Sequence, residues 1–168
     1  MRTIIVVVIL FIITSTVSFA FQNEPDGFRG IKWGTDIGDL PRMEYLRDYI
    51  TDFGGIKIYI NKEDELKIGD AAVSEIKYYF WKNKFYKVSA STNDLLNSGT
   101  LQHSCIDNFG DQVDFVASAY VWRGLVTKIM VTNPDYNGGL FLMESVYMIN
   151  KLSPLERQRD SERASKGW

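Results

Sequence analysis

Along residues 75–92 every second side chain is apolar. Ile76, Tyr78 and Phe80 share one side, Glu75, Lys77, Tyr79 and Trp81 the other, and after Lys82-Asn83-Lys84 the chain resumes as Phe85 to Thr92. A period of two belongs to a strand with one buried face, so the segment predicts a hairpin. A three-residue loop sets Trp81 opposite Phe85, Phe80 opposite Tyr86, Tyr78 opposite Val88 and Ile76 opposite Ala90. Ile56, Ile58 and Ile60 alternate in the same way after Gly54-Gly55, and Phe28 to Gly34 reads as a short strand. Val116 to Trp122 and Leu125 to Thr132 flank Arg123-Gly124, a dipeptide suited to a two-residue turn. That turn sets Trp122 opposite Leu125, Tyr120 opposite Thr127 and Ser118 opposite Ile129. Leu140 to Ile149 reads as a last strand.

Helical spacing is found in two places. Thr35 or Asp36 can cap a turn carrying Ile37 and Leu40, which Pro41 stops or restarts. Ser98 or Thr100 can open a second helix in which Leu101, Cys105, Ile106 and Phe109 fall on one stripe and Gly110 follows as a C′ glycine. Met43 to Asp52 fits helix and extended chain equally. The expected fold is therefore α+β, a two-layer sandwich in which two helices cover an antiparallel sheet of six to seven strands. It reads as two α-β-β-β units, Thr35 to Thr92 and Asn93 to Ile149.

The beginning of the chain has a different character. Arg2, the unbroken apolar run Ile4 to Ile13, the small and polar stretch Thr14 to Ser18, and Ala20 form the three regions of a secretory signal, with cleavage expected after Ala20. The run is about half of the roughly 20 residues that a membrane-spanning helix needs, so no span is expected once it is removed. Phe21, at the new N-terminus, is no site for a lipid. The expected organisation is a leader at 1–20, a single domain at 21–150 and a charged tail at 151–168, in a secreted or periplasmic protein. Loss of the leader removes Arg2 and no acid, which takes the net charge from −2 to near −3. Nucleic acid and anionic membranes both need a concentrated basic surface, so neither is expected as a partner. The single cysteine, Cys105, leaves stability to the core and reads as a buried thiol.

Candidate chemistry is sparse. His103 and Cys105 lie two apart on one helix and point in different directions, so they cannot act as base and nucleophile. No Gly-x-Ser-x-Gly elbow or phosphate-cradling glycine loop is present. Asn133, Asp135 and Asn137, then Gly138, Leu140 and Glu144, approach the spacing of a twelve-residue calcium loop, which would go with a carboxylate-based or calcium-dependent hydrolase. The same stretch fits a plain hairpin turn at Asn137-Gly138 between two strands, with no cofactor at all. Glu63-Asp64-Glu65 reads as a solvated loop. Aromatic residues make up 14% of the chain, and in the expected register Tyr79, Trp81 and Phe85 cluster on the sheet face away from the core. Large apolar groups in water mark binding surfaces, so these three form the candidate binding surface of an interaction module, unless a helix or the tail covers them.

Phe28-Arg29-Gly30-Ile31-Lys32-Trp33-Gly34-Thr35, with Ile76 to Lys82 and Lys84-Phe85-Tyr86, resembles a family of uncharacterised exported proteins of Gram-negative bacteria. The resemblance implies a periplasmic location and no particular activity. In layout alone the helix-then-hairpin units are similar to small envelope-assembly lipoproteins and β-lactamase inhibitory proteins, which bind other proteins through a sheet face. That analogy implies another envelope protein or an apolar ligand as partner.

Overall fold

The computed structural model describes residues 21–49, 55–112, 114–132, 137–151 and 154. It is a mixed α+β fold built on a large antiparallel sheet. In chain order, β1 (Gly27–Phe28) and β2 (Ile31–Lys32) form a small hairpin. A 3-10 turn (Ile37–Asp39) leads to β3 (Met43–Asp48) and β4 (Ile56–Asn61), and β5 (Lys67–Ile68) and β6 (Ala71–Ala72) make a second small hairpin. Then come β7 (Glu75–Trp81), β8 (Lys84–Ser91), helix α1 (Leu95–Phe109), β9 (Asp114–Val116), β10 (Ala119–Arg123), β11 (Thr127–Thr132) and β12 (Leu140–Ser145). Residues 146–151 are helical.

Eight strands form the main sheet in the order β3-β4-β7-β8-β12-β11-β10-β9. Each half of the chain supplies four neighbouring strands, and the last strand of each half, β8 and β12, pair antiparallel at the centre. The repeat expected from the sequence is thus present in the sheet but not in the helices. Only the second half opens with a true helix. In the first half Asp36 caps a single 3-10 turn through Gly38 N–H (2.9 Å), and Pro41 follows before a second turn can form.

Several local readings change. Phe28 to Gly34 is a hairpin, not one strand, because Arg29 and Gly30 adopt φ of 50° and 79° and reverse the chain within two residues. Helix α1 starts earlier than Ser98: the Asp94 carboxylate accepts from Asn97 N–H at 2.8 Å, a stronger cap than either hydroxyl. The β10–β11 register is four residues away from the expected one. Trp122 stands opposite Ile129 and Tyr120 opposite Val131, because Gly124 to Val126 form a wider loop whose Val126 and Thr127 N–H groups both donate to Glu24 (2.6 and 2.8 Å). A four-residue shift is even, so each side chain keeps its face. Ser118 lies in the β9–β10 turn instead of on a strand. The last strand ends at Ser145 and turns helical.

Tyr78, Phe80, Phe85, Val88, Trp122, Ile129 and Phe141 point to one side of the sheet and meet Leu101, Cys105 and Phe109 of α1. That is the main core. The Trp122 indole, fully enclosed, donates to Gly110 O at the end of α1 (2.8 Å), so the largest core side chain also satisfies a helix-terminal carbonyl. A smaller cluster of Ile56, Trp81, Tyr86 and Met148 lies on the other side, where the helical residues 146–151 bring Met148 over Trp81.

Candidate functional site

The expected aromatic surface is not a shared one. The β7–β8 connection has two residues, Lys82 and Asn83, both with positive φ (48° and 64°), so Trp81 pairs with Lys84 and Phe80 with Phe85. The register then slips by one, leaving Tyr86 as the extra residue of a bulge, and the expected register returns at Tyr79 with Lys87, so that Tyr78 faces Val88. Phe85 consequently faces the main core, its ring 5.5 Å from that of Phe80, and is fully buried. Trp81 stays on the opposite face but is only 7% exposed beneath Met148. Tyr79 is half-buried, edge-on to Tyr49 at 5.8 Å, with the Lys87 ammonium 5.1 Å from its ring. The triad is thus one core residue and two largely covered ones.

Of the calcium-loop residues, the structure describes Asn137 and Glu144. Asn133 and Asp135 lie outside the described residues, as do the leader at 1–20 and nearly all of the tail beyond Lys151. Glu144 is on β12, opposite Lys128, whose ammonium it holds at 3.0 Å. Strand geometry from Leu140 onward carries it about 13 Å along the sheet, away from Asn137. β11 and β12 pair antiparallel, as the hairpin reading expects, but Gly138 serves a different contact from the expected turn: with φ of 102° it passes so close to Thr92 that a Cβ would stand 2.0 Å from Thr92 O. Among the described residues no group of three or more His, Cys, Asp or Glu could hold a metal ion.

What the fold does build is a cleft of about 480 Å³ between α1 and the sheet. Its floor is apolar, made of Phe141 and Met143 from β12, Cys105 and Phe109 from α1, and Phe28 from β1. Its rim is polar, with Asn23 and Arg29 on the N-terminal side and Ser104 and Asn108 on α1, while Ile68 and Gly69 of the β5–β6 turn close one end. Each wall is separately fixed. Gly69, at φ of 56°, lies against Ser104 so closely that a Cβ there would be 2.4 Å from its Oγ. Asn23 donates to Asn108 O (2.8 Å), and Phe21 meets Phe109 edge-on at 5.7 Å. Thr127 is tied to the same N-terminal segment: its hydroxyl donates to Pro25 O and accepts from the Trp33 indole (2.7 Å).

Arg29 is the one charged residue of the lining, and it is already engaged. Its guanidinium pairs with Asp64 (3.2 Å) and donates to Glu65 O (2.8 Å) and Lys67 O (2.5 Å), while the Tyr78 hydroxyl donates to the other Asp64 oxygen (2.5 Å). Burial, then the Asp64 carboxylate, pushes the Tyr78 phenol well above its ordinary value, so it remains a donor at neutral pH. Asp64 is therefore a structural acid, unlike the solvated loop expected of Glu63-Asp64-Glu65. Burial alone pushes the Cys105 thiol up to about 12, which makes it an apolar wall and not a nucleophile. His103 is exposed on the outer side of α1, beside Leu96 and Thr100, pointing away from Cys105 as their spacing predicts. The cleft was not visible in the sequence, because its walls come from positions as far apart as Asn23 and Met143.

No helix among the described residues is long and apolar enough to cross a membrane. In the comparisons with known proteins, no family model, no curated protein and no solved structure matches the chain.

Proposed function

We propose that the protein is an exported binding module that receives an apolar ligand in the cleft between α1 and the sheet. The observation that carries this reading is the cleft itself, which has an apolar floor, a polar rim and walls fixed by hydrogen bonds within the protein. Small-molecule sites have these properties and volumes of roughly 300–1,000 Å³. Export is supported by the leader pattern of residues 1–20 and by the resemblance of Phe28 to Thr35 to exported proteins. Relative to the reading from sequence, the binding module is kept and its site moves from the strand face to the helix–sheet cleft.

The test uses the uncharged fluorophore N-phenyl-1-naphthylamine as probe. The wild-type protein is expected to enhance its emission saturably, and Asn108→Trp, which places a large group at the exposed rim, to weaken that binding at least ten-fold. Equal binding by both proteins, or none by either, would refute the cleft as the site.

A further inference from the structure

Resting on that reading, we infer that the ligand is an uncharged amphiphile, an alkyl or aromatic body bearing a hydroxyl or amide head. Among the described residues the cleft lining contains no acidic side chain to compensate an ammonium. Its one cation among the described residues, Arg29, cannot turn to an anion without leaving Asp64, whose side chain is only 9% exposed, as a buried carboxylate with no cation beside it, held by the Tyr78 hydroxyl and the Asn61 amide alone. A charged head would therefore find no counter-ion at the rim and would shed part of its hydration there, whereas a neutral one needs only hydrogen bonds. The rim supplies these: the Ser104 hydroxyl, which accepts from Asp70 N–H (3.3 Å) and keeps its own proton to donate, and the exposed Asn108 carboxamide.

Three ligands with the same ten-carbon tail decide the matter at pH 7.4: 1-decanol, decanoate and decylammonium, each titrated against bound N-phenyl-1-naphthylamine. The expected result is displacement by decanol at concentrations at least ten-fold below those needed for either ion. Equal or stronger displacement by an ion would overturn the neutral-head assignment while leaving the cleft in place as a binding site. A probe that fails to bind at all would remove the cleft reading and this inference together. Asn108→Lys provides the second arm. It adds a cation to an exposed rim position, and should shift the decanol-to-decanoate preference about ten-fold toward decanoate. An unchanged preference would mean that the head does not lie at this rim, and would overturn the assignment.

Discussion

Cys105 shows how burial alone sets a residue's chemistry. Its thiol is raised from 9.0 to about 12 because the folded state excludes the thiolate, so the folded protein holds the proton more tightly than the unfolded chain. That contribution is fully present below pH 9 and is lost as pH rises from 9 toward 12. Urea titrations should therefore show wild type losing stability above pH 9 faster than Cys105→Ala, by on the order of 1 kcal/mol per pH unit. Parallel pH profiles would contradict the assignment. At the β9–β10 turn, Ala117 and Ser118 sit at φ of 49° and 62°, a conformation that costs L-residues about 1–2 kcal/mol each. The double change Ala117→Asn, Ser118→Gly should raise stability by about 1 kcal/mol, seen as a higher urea midpoint at constant slope. Nothing in the dipeptide Ala-Ser announces such a turn, which is why the sequence misplaced Ser118 on a strand. At Lys82-Asn83 the sequence places the turn correctly but makes it one residue too long: counting Lys84 in the loop instead of pairing it with Trp81 puts Phe85 on the wrong face.

At the level of elements, legibility follows how local the cause is. The alternation of Ile76, Tyr78 and Phe80 needs only the pleat, so β7 and its facing were readable, and so was the helical stripe Leu101, Cys105 and Phe109. The β10–β11 register was not, since it depends on Glu24, about a hundred residues away, holding the loop N–H groups. The start of α1 turns on the Asp94 cap, whose carboxyl the Asn97 backbone N–H keeps below its ordinary value. Asp94→Ala should lower the thermal or urea midpoint at neutral pH, because the Asn97 N–H loses its cap. A folded value below the unfolded 3.8 means that the cap stabilises above that pH and fades as pH falls below it, so the cost should vanish in acid. A loss that persists in acid would assign the effect to something other than the charged cap. Gly138→Ala would force a Cβ onto Thr92 O at a positive φ, and should separate β12 from the end of β8, detected as faster amide exchange at Leu140 and Ser91.

For the whole molecule, the fold class was open to a reading of periodicity because one two-sided sheet dominates the chain. Its two-fold layout, with β8 and β12 joined at the centre, was half legible, since strands repeat and helices do not. The cleft could not be seen, because it exists only where the N-terminal segment, α1 and β12 converge. Phe21 and Asn23 hold the wall that Asn108 and Phe109 complete, so the proposed cleavage after Ala20 would keep that wall whole. N-terminal sequencing of exported protein should accordingly begin at Phe21, and a start several residues later would remove part of that wall. The central claim, an uncharged apolar ligand between helix and sheet, is most directly tested by methionine methyl NMR during titration with 1-decanol. Met143 lies on the cleft floor and Met148 over Trp81 on the opposite face. The account predicts a saturable shift of the Met143 methyl with Met148 unmoved; a shift at Met148 alone would return the site to the Tyr79 and Trp81 face and contradict it.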